Sequence, residues 1–123
     1  MPKKVTAAEV AALAATLNGV ARGDEPAGPA LITAVRVLCR TLGERHPGGT
    51  LELRVPPFAA VQLGIGQRGA HTRGIPPNVV ETDAVTLLRL AAGVLTWPDA
   101  VASHAVAASG PHADLSEVFP AAL

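Results

Sequence analysis

The sequence is poor in the residues that several binding functions require. Only three of its 123 residues are aromatic, Phe58, Trp97 and Phe119, and it has no tyrosine. A stacking surface for single-stranded bases is therefore excluded. Ten Lys and Arg balance ten Asp and Glu, which leaves no surplus of cations to neutralise a phosphate backbone. We do not expect a nucleic acid as a partner.

Cysteine and long apolar runs are also scarce. Cys39 is the only cysteine, which excludes an intrachain disulfide and suits a reducing compartment. It falls within a helical apolar pattern, so we interpret it as core filler and not as a nucleophile. No run reaches the roughly 18 apolar residues of a membrane span, and the balanced charge gives no attraction to an anionic membrane. These features predict a cytoplasmic protein with no stable membrane insertion.

Motifs that carry catalysis or bind cofactors are weak. The chain has four histidines, His46, His71, His104 and His112. No two of them are at a zinc-like spacing, and no serine lies in a nucleophile elbow. Residues 64–69 match G-x-G-x-x-G, but Gly74, Pro76 and Pro77 follow and exclude the helix that a dinucleotide site needs. We predict no metal, no cofactor and no catalytic residue, and hence a protein that is not an enzyme.

The first 45 residues predict two helices. Thr6 and Glu9 have the spacing of a capping box, and apolar residues then recur at helical spacing until Gly23. Pro29 suits the first position of a second helix, which Gly43 is expected to stop. Arg36 and Arg40 lie one turn apart on another face of this helix and are interpreted as a solvated surface.

The rest of the chain alternates strands and short helices. Two alternating segments, 51–55 and 59–65, predict a hairpin with Pro56 and Pro57 in its connection. An extended piece at 79–80 precedes a helix capped by Thr82 or Asp83, and a short helix opens at Thr96. A strand at 105–109 and a last helix, begun by the capping-box spacing of 114–117, complete the order. This order predicts one α+β domain, residues 1–123, with helices on one face of a sheet.

Positive charge is concentrated in the middle of the chain. No acidic residue occurs between Glu52 and Glu81, whereas Arg54, Arg68, Arg73 and His71 all fall there. Because arginine binds carboxylates and phosphates in a bidentate manner, one interpretation is an anion-facing loop at a pocket mouth. The other interpretation is local pairing, of Arg73 with Glu81 and of Arg54 with Glu52 or a neighbouring strand.

The C-terminal half contains a recognisable succession of motifs. An acidic-capped helix ends at Gly93, a short helix follows Thr96, and a strand ends at Gly110; the segments concerned are 71–83, 87–93, 95–100, 106–110 and 114–115. On these segments the C-terminal half resembles sterol carrier protein domains, and residues 71–83 resemble a short actinobacterial branch of that family. Residues 71–119 carry the resemblance, while residues 1–70 agree only in the order of elements.

The resemblance implies a mixed or antiparallel sheet of about five strands, with an apolar cavity between the sheet and its helices. Family members carry fatty acids, acyl-CoA or sterols there without catalysing a reaction, so the expected partner is a hydrophobic small molecule such as a lipid of acyl, sterol or isoprenoid type. His71 and Arg73 are expected near the polar end of the ligand. The expected wall residues are Leu53, Val61, Leu63, Leu87, Leu88, Trp97 and Phe119.

Three alternatives stay open at this point. The same wall residues could simply fill a closed core, since periodicity does not separate a core from a cavity. The apolar face could dock a partner protein or a second copy, giving a homodimer. Similar domains also form the C-terminal part of mycothiol-dependent maleylpyruvate isomerase-like proteins, whose metal site lies on a separate helical domain, so an accessory role beside an enzyme is the third alternative.

Overall fold

The computed structural model describes residues 3–66 and 76–123. In it, two helices precede the first strand of the sheet. Helix α1 spans Ala7–Ala21. The predicted capping box is present, because the Thr6 hydroxyl accepts from the Glu9 amide at 3.1 Å and the Glu9 carboxylate accepts from the Thr6 amide at 3.1 Å. The helix ends two residues before Gly23, which adopts a positive φ of 105°.

Helix α2 spans Gly28–Arg45, with Pro29 in its first turn. The prediction that Gly43 stops this helix is wrong, since the helix continues through it for two more residues. Gly43 has a packing role instead. A Cβ atom built there would lie 2.8 Å from Cγ2 of Val61, so the absence of a side chain lets α2 approach the sheet closely.

The sheet has four strands within the described residues, against the expected five or so. These are β1 (Leu51–Val55), β2 (Ala59–Leu63), β3 (Asn78–Thr82) and β4 (Val106–Ser109). Their order is β2-β1-β3-β4. The β1–β2 and β3–β4 pairs are antiparallel and the central β1–β3 pair is parallel, so the α+β class, the mixed sheet and the predicted hairpin are confirmed.

The two faces of the sheet differ in polarity. Leu51, Leu53 and Val55 of β1 are fully buried among residues of the helices, whereas Glu52 and Arg54 alternate with them on the opposite face. Helix α2 therefore packs against one face of the sheet and α1 packs against α2, and the other face carries mostly polar and small side chains.

The later helices follow their predicted caps, but the last one does not form. Helix α3 (Ala84–Ala92) is capped by Asp83, and α4 (Trp97–Ala102) is capped by Thr96. The predicted helix from Asp114 to Phe119 is wrong. The Asp114 carboxylate accepts from the Ser116 amide at 2.8 Å, two residues on, which forms a local turn. Pro120 then prevents the single turn at 116–118 from extending.

Candidate ligand-binding groove

A groove of about 860 Å³ runs between α2 and the edge strand β2. Its volume is within the range of small-molecule sites. Its apolar lining comes from Cys39 and Gly43 of α2 and from Phe58, Ala59 and Val61 of the hairpin. On the strand side, the groove is bordered by the small side chains of Ala59 and Ala60, and β2 is the last strand on this side of the described sheet.

Cationic side chains line the same groove. Lys3, Lys4, Arg36 and Arg40 all border it, and Glu44 is the acidic residue among the lining side chains. Glu44 also accepts a hydrogen bond from the Val5 amide at 2.7 Å. This bond fixes the segment before α1 against α2 and so holds the two lysines beside the groove.

Arg40 is already neutralised by a partner on α1. Its two terminal nitrogens donate to the two carboxylate oxygens of Glu9 at 2.8 and 3.0 Å. The hydrogen bonds from Arg40, followed by the one from the Thr6 amide, lower the pKa of Glu9 from 4.5 to about 2. The expectation that Arg40 is simply a solvated residue is wrong, because this ion pair clamps α1 to α2 and only 30% of the Arg40 side chain is exposed.

Arg36 is exposed, as expected, but it is held in place. Its Nε donates to the Phe58 carbonyl at 3.2 Å, which connects the middle of α2 to the hairpin turn. Arg36, Lys3 and Lys4 form no ion pair with any residue that the structure describes; the pairs within this part of the chain are Arg40–Glu9 and Arg54–Glu52. The groove therefore combines an apolar floor with three cations that lack a carboxylate partner there.

The wall residues predicted from the sequence lie together in one apolar cluster. Val61 also lines the groove and is half-buried. Leu53, Leu63, Leu87 and Leu88 are at most 1% exposed, so a ligand reaches them only if the helices move away from the sheet. Trp97 and Phe119 are 8% and 9% exposed. Contact of these seven residues with a ligand stays a prediction.

The predicted polar end lies outside the described residues, because His71 and Arg73 both fall in the segment 67–75. The local pairing of Arg54 with Glu52 is confirmed by an ion pair between their side chains. Glu81 also faces Arg54 across the β1–β3 pair.

The sequence interpretation missed most of the groove. Arg36, Cys39, Arg40 and Gly43 follow one another at intervals of three, one and three residues, which places them on one side of a helix. That spacing is the signal from which this side of the helix could have been predicted. It was missed because the four residues are two arginines, a cysteine and a glycine, which do not form an apolar stripe.

Neither a metal cluster nor a membrane-spanning helix is found in the described parts of the chain. No group of three His, Cys, Asp or Glu side chains there could hold a metal ion. None of the helices in residues 3–66 and 76–123 is long and apolar enough to cross a membrane.

The chain matches a known protein family. A family model described as a bacterial SCP ortholog matches residues 28–121, which is most of the chain and includes everything from α2 through β4. No curated protein matches the chain.

Proposed function

Because the chain belongs to the bacterial SCP-ortholog family, a sterol-carrier-protein-like family, we propose that it binds a hydrophobic small molecule and carries it without changing it chemically. The proposed ligand is a lipid of the fatty acid, acyl-CoA, sterol or isoprenoid type. The observation that supports this proposal most directly is the groove between α2 and β2, with its apolar floor and its volume of about 860 Å³.

The floor of the groove suits an apolar chain. Burial of apolar surface is worth about 25 cal/mol per Å², and Phe58 and Val61 offer the larger apolar contacts along the hairpin side. Val61 lies directly opposite Leu53 in the β1–β2 pair, so a chain in the groove is one strand away from the buried leucines. We propose that the groove is the point of entry, and that the remaining wall residues contact ligand only when the helix layer opens.

A carrier role fits the chemistry of the thiol on this floor. Burial raises the pKa of Cys39 to about 12, and its side chain is 3% exposed. Because the thiolate is the nucleophile, Cys39 remains an unreactive thiol at neutral pH. The thiol thus serves packing, and we propose a non-catalytic protein.

We further propose that the chain acts as a single domain in the cytoplasm. A single reduced, buried cysteine suits that compartment. Self-association into a homodimer stays a prediction, and small-angle scattering of the purified chain with and without lipid tests it.

The proposal is tested by blocking the groove. The neutral fluorescent probe N-phenyl-1-naphthylamine is titrated into the wild-type protein and then displaced by dodecanoic acid. We expect saturable, displaceable binding, and we expect Val61→Phe to weaken it because the larger ring fills the floor.

The matched control is Val85→Phe, which makes the same change at a valine of α3 that is 40% exposed and is not part of the groove. Circular dichroism checks that both variants are folded. Binding that is absent in the wild type, or equally strong in Val61→Phe, contradicts the proposed function at this site.

A further inference from the structure

We propose that the groove selects an anionic single-chain amphiphile over a neutral one of the same length, and that Arg36 receives the anionic head group. This inference rests on the proposed function, and it narrows the ligand from lipids in general to those with a carboxylate or phosphate head. It assigns a specificity-determining role to a residue of α2 that the sequence pattern places on a solvated surface.

The first argument is the local excess of positive charge. The whole chain has no net charge, yet the groove brings together Lys3, Lys4 and Arg36 with Glu44 as the one acidic lining residue. Arg40 adds no net charge, because Glu9 pairs with it. A carboxylate or phosphate at this position is attracted by the lining cations, and a hydroxyl group is not.

The second argument is the preorganisation of Arg36. The hydrogen bond from its Nε to the Phe58 carbonyl restricts the side chain before any ligand arrives. Its two terminal nitrogens make no hydrogen bond to any described residue. A guanidinium in this state can donate two parallel hydrogen bonds to one carboxylate or phosphate, with less loss of side-chain freedom than an unrestrained arginine would suffer.

The third argument is the position of Arg36 relative to the apolar floor. The carbonyl that restrains Arg36 belongs to Phe58, and the Phe58 side chain packs against the core. The cation therefore lies at one edge of the apolar surface. An amphiphile whose head group binds Arg36 can extend its chain along Ala59 and Val61, which satisfies both ends of the molecule at once.

The test compares dodecanoic acid with dodecan-1-ol, each displacing N-phenyl-1-naphthylamine at pH 7.5, where the acid is ionised. We expect the wild-type protein to bind the acid roughly tenfold more tightly than the alcohol, as a charge-assisted hydrogen bond at a partly exposed site implies. In Arg36→Gln the acid should lose most of that advantage, with Lys3 and Lys4 still present, while the alcohol binds as before. Rising NaCl should reduce the wild-type ratio.

Two further variants define the result. Arg89→Gln removes the same charge from an exposed residue in the last turn of α3 and should keep the wild-type ratio. Arg36→Lys keeps the charge without the bidentate geometry and should give an intermediate ratio, and it covers the case in which Arg36→Gln does not fold.

The outcomes separate the two proposals. If the wild type binds neither compound, the proposed function and this inference both fail. If it binds acid and alcohol equally well, the groove binds lipid and the selectivity is wrong. If the acid keeps its tenfold advantage in Arg36→Gln, the assignment of the head group to Arg36 is overturned.

Discussion

Substitution of Gly43 by alanine tests the close approach of α2 to β2, on which the shape of the groove depends. A Cβ atom at this position would lie 2.8 Å from Cγ2 of Val61, which is well inside van der Waals contact. Valine is stiff at χ1, and Val61 is half-buried and paired with Leu53 in the hairpin. The strain is therefore expected to move the helix or the strand and not only a side chain.

Two opposing terms set the magnitude. Alanine is favoured over glycine within a helix by about 1 kcal/mol, whereas overpacking of a well-packed site costs typically about 1–3 kcal/mol. Gly43→Ala should therefore range from nearly neutral to about 2 kcal/mol destabilising in the wild-type background. In a Val61→Ala background the clash is removed, and the same substitution should stabilise the protein by up to about 1 kcal/mol.

The assay is a double-mutant cycle with urea unfolding followed by the fluorescence of Trp97, the only tryptophan. We expect Gly43→Ala to be less destabilising in the Val61→Ala background than in the wild type, because the shorter side chain at position 61 removes the clash. Equal effects of Gly43→Ala in the two backgrounds would refute the contact. Gly43→Ala should also change the affinity for the fluorescent probe, since a shift of α2 relative to β2 alters the groove between them.

Three further predictions concern single contacts. The pKa of Glu9 is about 2 in the folded protein, against the ordinary 4.5, so ionised Glu9 stabilises the fold above about pH 4.5 and this stabilisation is lost as the pH falls towards 2. The difference in unfolding free energy between wild type and Glu9→Gln, measured by urea unfolding, should therefore shrink between pH 4.5 and pH 2. A difference that stays constant over this interval contradicts the ion pair with Arg40. Cys39 should resist Ellman's reagent at pH 8 in the folded protein and react fully in urea, because burial raises its pKa; rapid reaction of the native protein contradicts its placement. Asn78 is 3% exposed and donates to the Thr50 carbonyl at 2.8 Å, so Asn78→Asp, which loses the donor and adds a buried charge, should destabilise by about 3 kcal/mol or more, and a variant with unchanged urea midpoint contradicts this bond.

Features fixed by neighbouring residues were predictable from the sequence. Thr6, Asp83 and Thr96 each cap a helix through a side chain that accepts from an amide three residues on. Such caps depend on short-range contacts alone. The hairpin was predictable for a related reason, since its alternation and its two prolines lie within one short stretch.

The same kind of signal misled at the C-terminus and at Gly43. Asp114 and Glu117 have the spacing of a capping box, but Asp114 accepts from Ser116 instead, and Pro120 leaves room for only one turn. Glycine often ends a helix, but the role of Gly43 depends on its contact with Val61, eighteen residues further along the chain. A pattern of neighbouring residues cannot reveal a contact between residues so far apart in the sequence.

The groove lies beside β2, which is an edge strand within the described residues. The side of α2 that carries Arg36 and Gly43 borders the groove, and the carbonyl that restrains Arg36 comes from the hairpin turn that precedes β2. Helical periodicity locates this side of α2 but does not reveal what covers it, because the answer depends on where the sheet ends. For this reason the apolar core was predictable from the chain, while the cationic groove required the tertiary structure.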